Sequence, residues 1–176
     1  RMIVGRGWGQ GPTHAQSPHA IFSHVPGLQV VAPATPVDGY YLMKQSIASD
    51  KPVVFIEHRW LHQTTEVLIE NEQVPELSEA KIMKSGKDLT LISLSYGVIE
   101  CIKIAEILSE FNLNAEVINL RSIQPWDKST VLRSVEKTKK VVVVEEHMRS
   151  GGLGDDVLRA TYDIPGMKFH SVSIPD

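Results

Sequence analysis

Thiol chemistry is nearly absent from this sequence. The 176-residue chain has one cysteine, Cys101. A single thiol cannot close an internal disulfide, so nothing points to an oxidising compartment. Cys101 sits among apolar positions of a helical stretch and is expected to be a buried structural thiol. Long apolar runs are missing too: none approaches the roughly 20 residues of a membrane span. The N-terminal stretch lacks the basic, apolar and small-residue regions of a signal peptide. An excess of one charge is also lacking. With 18 basic and 21 acidic residues the formal net charge is −3, too weak to imply a nucleic-acid partner or an anionic membrane surface. Several catalytic signatures are absent as well. No GxxxxGK[ST] run is present, which excludes a P-loop, and no Gly-x-Ser-x-Gly elbow supports a serine hydrolase. The N-terminal glycines do not spell GxGxxG after a strand, so the dinucleotide fingerprint is weak.

What is present has the composition of a folded protein. Hydrophobic residues make up 42% and charged residues 22%, which excludes disorder and coiled coil. At roughly 150 residues per domain, the length fits one domain or two small ones. The chain divides into two blocks, 1–61 and 79–176. The stretch 62–78 between them is polar, acidic, carries Pro75 and lacks sustained periodicity, as an extended linker would.

The first block predicts a strand end at 2–4 and a loop with glycines at 5, 7, 9 and 11. A short helix over 17–24 follows, with Ser17 as cap and Pro18 at its first position. A strand at 28–32, a helix over 36–49 and an apolar strand at 52–57 complete the block. The second block predicts strands at 88–93, 116–120, 140–145 and 169–173. Helices over 98–111, 125–137 and 154–161 lie between them. Strand–helix alternation with short connections implies parallel α/β sheets, and the continuous apolar strands imply burial on both faces. Roughly 60 residues with three strands bury too little apolar area to stand alone, so the first block needs more sheet from elsewhere.

Several residues are candidates for chemistry. His14 follows the glycine loop and precedes a helix start. An imidazole there suits acid–base work or an anion, and equally the bracing of a loop. His19 and His24 are helical or helix-flanking and read as structural, and the five-residue spacing of His14, His19 and His24 does not suit a zinc site. Glu57-His58-Arg59 ends an apolar strand, where open α/β sheets gather ligand groups or subunit contacts. Glu145-Glu146-His147, before Ser150-Gly151-Gly152-Leu153-Gly154, forms either an anion nest or a glycine turn that packs helix on sheet.

The stretch GPTHAQSPHAIFSHVPGLQVVAPATPVDGYYLMKQSIASDKPVVFIEHR resembles the beta subunits of pyruvate and branched-chain 2-oxoacid dehydrogenases. The second block, through GKDLTLIS, AEVINLRSIQPWD, SVEKTKKVVVVEEH and GGLGDD, resembles their transketolase C-terminal domain. The fold this implies is the C-terminal part of a pyrimidine-binding-domain parallel sheet (1–61), then the linker, then a transketolase C-terminal-like α/β sheet (79–176). The implied function is thiamine-diphosphate-dependent oxidative decarboxylation of a 2-oxoacid with acyl transfer to lipoamide. The implied assembly is an α2β2 heterotetramer, with an alpha subunit, a second beta subunit and a lipoyl-bearing acyltransferase as partners. A cytoplasmic location, or the mitochondrial matrix in a eukaryote, follows.

His14 matches the family's active-site histidine. Gln16, Glu57 and Arg59 are implied as substrate or interface residues. Thiamine diphosphate and magnesium are implied for the full enzyme, held mainly by residues outside this chain, with the pyrimidine-activating glutamate expected upstream of the His14-x-Gln16 motif and missing from this sequence. Relatives often bind potassium just before the proline of the third strand, but Lys51 in Ser49-Asp50-Lys51-Pro52 argues against that ion. The chain begins at Arg1 and stops at Asp176, short of a further strand and helix in relatives, so both ends are expected to be incomplete and the isolated chain inactive. The stretch from Gly151 onward also resembles transketolases and deoxyxylulose-phosphate synthases. A ketol-transferring enzyme therefore stays open, as does a non-catalytic assembly domain.

Overall fold

The computed structural model describes residues 1–7, 9–68 and 75–175. Trp8 of the glycine run and residues 69–74 of the expected linker lie outside that description. The first block comprises β1 (Met2–Val4), α1 (Pro12–Ala15), α2 (His19–Ser23), β2 (Gln29–Val31), α3 (Pro36–Ala48) and β3 (Val53–His58), then a 3₁₀ turn, Arg59–Leu61. The second comprises β4 (Lys81–Lys84), β5 (Leu89–Ser93), α4 (Tyr96–Glu110), β6 (Ala115–Asn119), β7 (Ser122–Gln124), α5 (Lys128–Thr138), β8 (Lys140–Met148), α6 (Leu153–Thr161) and β9 (Lys168–Ile174). No helix among the described residues is long and apolar enough to cross a membrane.

Local chemistry sets the helix starts. Thr35 accepts the Asp38 N–H, and Pro36 opens α3, where its missing N–H is no loss. Asp127 caps α5 by accepting the Thr130 N–H at 2.9 Å, so that helix begins at Lys128, three residues later than expected from Pro125. The 17–24 expectation also shifts. Pro18 takes the cap position, Ser17 makes no cap, and α2 begins at His19. His14 lies in a separate single turn, α1, not in the lead-in to α2.

The strands form two sheets. One has the order β1-β3-β2-β7, and the other β4-β6-β5-β8-β9. Pairing is parallel except at β7 on β2 and β4 on β6. Neither antiparallel strand is visible in the sequence pattern. Lys81–Lys84 is a half-exposed edge and Ser122–Gln124 only three residues long, so neither carries a period strong enough to read. β7 is the surprise, because it leaves the second block to complete the sheet of the first. Some of the sheet that the first block requires thus comes from the same chain.

One core spans both blocks. Val30, Ala32 and Ile56 pack in the same buried cluster as Ile92, Ile118, Leu120, Val141 and Val143. Along β8, Val141 and Val143 face that cluster, while Val142 and Val144 pack against a second one around Cys101 under α4. This two-faced burial explains the run of four valines. Polar ties reinforce the junction. Asn119 donates to Asp38 at 2.8 Å, and Arg121 approaches the same carboxylate at 3.7 Å with both side chains buried. The backbone joins too, as the Ala32 N–H donates to the Arg121 carbonyl at 2.8 Å.

Candidate functional site

The carboxyl ends of β1, β3, β5 and β8 converge on a cavity of about 480 Å³ between the two sheets. This is where parallel α/β sheets place ligand groups. His58, buried at the end of β3, meets Glu146 from β8, with Nε2 2.7 Å from Oε2. The Trp60 backbone N–H donates to His58 Nδ1 at 3.3 Å. A backbone N–H can only donate, so Nδ1 carries the lone pair, and Nε2 carries the proton it gives to Glu146. His58 is therefore an oriented bridge between the blocks. Burial alone would raise the Glu146 carboxyl. The hydrogen bond from His58 and the charge of Arg6, 3.4 Å away, outweigh it and hold the group below the usual range. Tyr96 stacks on His58 with ring centroids 4.9 Å apart, and Trp60 meets Tyr96 edge-on at 5.3 Å. Ser95, at φ 52 before α4, lines the cavity with a buried hydroxyl that has no hydrogen-bond partner among the described residues.

The neighbouring residue on β8 points elsewhere, as strand alternation requires. Glu145 is buried and accepts the N–H groups of Leu153 at 2.8 Å and Gly154 at 3.0 Å. The glycine turn after β8 is therefore a nest already filled by the chain's own carboxylate. A Cβ at Gly152 would lie 2.6 Å from Glu145 Oε2, and one at Gly154 would lie 2.9 Å from Ser171 Oγ. Of the two readings of this motif, the packed turn is the one built. His19 lies beside Glu145, at 4.0 Å from Nε2 to Oε2, and its ring contacts that of His147 at 4.7 Å.

The residues singled out in the sequence are not gathered in one place. His14 is exposed on α1, next to a loop in which Gly5, Gly7, Gly9 and Gly11 all have positive φ. Gln16 is exposed just beyond it. Glu57 faces a separate, more open cavity of about 830 Å³ with Tyr40, Met43 and Ile47. There it takes a bidentate contact from Arg1 at 2.6 and 2.9 Å. That hydrogen bond holds the Glu57 carboxyl below its ordinary value. Arg59 opens the 3₁₀ turn, with its Cβ 3.4 Å from where a Gly5 Cβ would stand. Among the described residues, His14, Gln16 and Arg59 line neither of these two cavities. What the sequence did not show is the meeting of His19 with His147 and of His58 with Glu146. Strand ends mark His58, Glu146 and His147 as candidates, but pairing across that separation needs the fold.

Family models match both blocks. Residues 4–64 match the transketolase pyrimidine-binding domain, and residues 78–176 match the transketolase C-terminal domain. The chain belongs to the transketolase family. Within it, the chain is 40% identical to the pyruvate dehydrogenase E1 component subunit beta of Chaetosphaeridium globosum, over 82% of this chain and 44% of that protein. It is equally 40% identical to the mitochondrial 2-oxoisovalerate dehydrogenase subunit beta of Chaetomium thermophilum, over 94% of this chain and 36% of that one. Its kin are thus the beta subunits of 2-oxoacid dehydrogenases, and the chain spans less than half the length of these relatives. A solved split-gene transketolase, described as an inactive beta4 tetramer, superposes with a TM-score of 0.81 at 25% identity, over 93% of this chain and 54% of the other.

Proposed function

We propose that this chain forms the beta side of a 2-oxoacid dehydrogenase decarboxylating component. It would work with an alpha subunit and a second beta subunit and pass an acyl group to a lipoyl-bearing acyltransferase. The structural observation that carries this reading is His14, held outward on a glycine-bordered turn instead of enclosed by its own chain. A catalytic group so placed suits a site completed by another subunit. The names of the relatives support the assignment, and the tetrameric state of the split-gene transketolase supports pairing between beta subunits.

Thiamine diphosphate, when bound, supplies addition to the 2-oxo carbon and uptake of the electron pair released with CO2. From this chain, His14 would hold or deliver a proton at the substrate oxygen, and its exposure leaves the imidazole available to do so. Diphosphate and magnesium would be held mainly by the alpha subunit. The 49–52 turn is a poor potassium site: Ser49 Oγ donates to Gln29 and accepts the Lys51 N–H, and Lys51 adds a positive charge there.

The test combines the purified chain with a candidate alpha subunit, thiamine diphosphate and magnesium, and follows 2-oxoacid-dependent reduction of an artificial acceptor. Activity is expected in the mixture alone, with His14→Ala lowering it by about 10² to 10⁴ and leaving the circular dichroism unchanged. Turnover by the chain alone sinks the proposal. So does a monomer by light scattering that ignores the alpha subunit, which would favour a non-catalytic assembly domain. The split-gene transketolase likeness favours a second reading, ketol transfer, which turnover of a ketose phosphate by the mixture would establish.

A further inference from the structure

His19, Glu145 and His147 offer ligand atoms that all lie within 4.8 Å of one another. Their sequence positions give no hint of this. His19 opens α2 in the first block, while Glu145 and His147 sit on the end of β8 in the second.

Each has its donor capacity in a state that suits a cation. His19 is 3% exposed, and its Nε2 is buried with no hydrogen-bond partner among the described residues. A buried polar atom left unpaired is destabilising by about 1–3 kcal/mol, and such orphans call for a ligand. His147 Nδ1 lies 2.7 Å from the Met148 carbonyl oxygen. A carbonyl can only accept, so Nδ1 is protonated and Nε2 keeps a lone pair. Metal-binding histidines are oriented in the same way, by giving the other ring N–H to a backbone oxygen. Glu145 accepts one N–H on each oxygen, so its carboxylate is fixed in place and retains further lone pairs. No lysine or arginine is among its described contacts, since Arg6 pairs with Glu146 instead.

We propose that these three residues bind a first-row divalent transition ion, zinc in the first instance. Two imidazoles and one carboxylate form a borderline nitrogen–oxygen set, which favours zinc, nickel or copper over magnesium or calcium. Zinc–ligand distances near 2.0–2.2 Å place tetrahedral ligands about 3.3 Å apart. The observed 4.0 Å between His19 Nε2 and Glu145 Oε2 closes to that value with a movement of about 0.7 Å. His147 is half-buried, so its ring has room to turn onto the ion. His19 and Glu145 also line the inter-sheet cavity, which leaves the fourth coordination position for water. The ion would pin α2 against β8 and so tie the two blocks together. The site is separate from His14, which lies on the exposed turn.

The experiment is zinc titration of the metal-stripped full chain by competition with a chromogenic chelator, with nickel and magnesium in parallel. One zinc per chain is expected, with nickel also bound and magnesium not competing. His147→Ala should weaken binding at least tenfold, and His19→Ala likewise. His170→Ala, on the exposed side of β9, should leave it unchanged. Zinc should raise the thermal midpoint of the wild type but not of His147→Ala. His147 is half-buried, so that variant keeps the test valid even if His19→Ala folds poorly. Zinc binding unaltered in His147→Ala overturns the proposal, as does the absence of stoichiometric binding or equal affinity for magnesium.

Discussion

Two glycine-to-alanine substitutions should move stability in opposite directions. Gly152 has φ −80 and ψ 179, so alanine adopts its backbone conformation without strain. The obstacle is the Glu145 carboxylate. An added Cβ would stand 2.6 Å from Oε2, 2.8 Å from Oε1 and 2.9 Å from Cδ, well inside ordinary van der Waals contact. A flexible surface carboxylate would move aside, but Glu145 is 5% exposed and held by the Leu153 and Gly154 N–H groups. Displacing it stretches both bonds and uncovers the N-terminus of α6. Hydrogen bonds to charged groups contribute roughly 1.5–3 kcal/mol each, so partial loss of two gives about 3 kcal/mol. For a chain of this size, about 2–4 °C of thermal midpoint accompanies each kcal/mol, so Gly152→Ala should melt roughly 6–12 °C lower. Gly39 lies inside α3, and its added Cβ would meet nothing within 4 Å. Gly39→Ala should therefore add about 0.5–1 kcal/mol through helix propensity and a less disordered unfolded chain. Differential scanning calorimetry reads both. A Gly152→Ala midpoint within about 2 °C of wild type, or a lowered one for Gly39→Ala, would refute the packing argument.

Other expectations concern buried polar groups. Thr90 Oγ1 bridges the hydroxyls of Ser134 and Thr138, each at 2.7 Å, in a fully buried site. Thr90→Val should cost about 1–3 kcal/mol in a urea titration, whereas the triple change with Ser134→Ala and Thr138→Val should recover part of it, because none of the three hydroxyls is then left buried without the others. Burial would raise the Asp127 carboxyl, but Thr130, Ser129 and Ala80 donate to it and bring it to about 2. Its folded value is depressed, so its contribution is present above about pH 4 and lost as pH falls towards 2. The size is about 1 kcal/mol after solvent screening, and Asp127→Asn should flatten the stability profile in that window. Burial pushes the Cys101 thiol up to about 12, and thiolate is the reactive form. Alkylation at pH 8 should therefore be slow in the native protein and fast in urea; rapid native labelling would contradict the burial.

Much of the fold was legible in the sequence because the long strands and helices carry strong periods. The apolar runs at Val53–His58 and Lys140–Met148 and the broad stripe of Tyr96–Glu110 lie within a residue or two of the expected bounds, or somewhat longer. The missed elements are those whose existence depends on a distant partner. Ser122–Gln124 is a strand only because Val30 and Val31 lie beside it. The site divides in the same way. Strand ends pointed to Glu57, His58, Glu145, Glu146 and His147, since the sheet class tells where polar groups collect. The sequence reads His19 as a structural, helix-flanking histidine, and its spacing from His14 and His24 suits no metal. Spacing along one helix carries no information about a ligand on a strand of the other sheet.

The crossing of Ser122–Gln124 into the first sheet means that the polypeptide is not two beads on a string. A single cut in the segment between the blocks would leave the pieces bound to each other by a shared sheet, a shared core and the Asp38–Arg121 contact. Expression of residues 1–64 alone would strip β2 of its outer neighbour and bare a hydrophobic edge, an invitation to aggregate. The first 64 residues therefore call for co-expression with residues 75–176, as complementing halves of one folding unit.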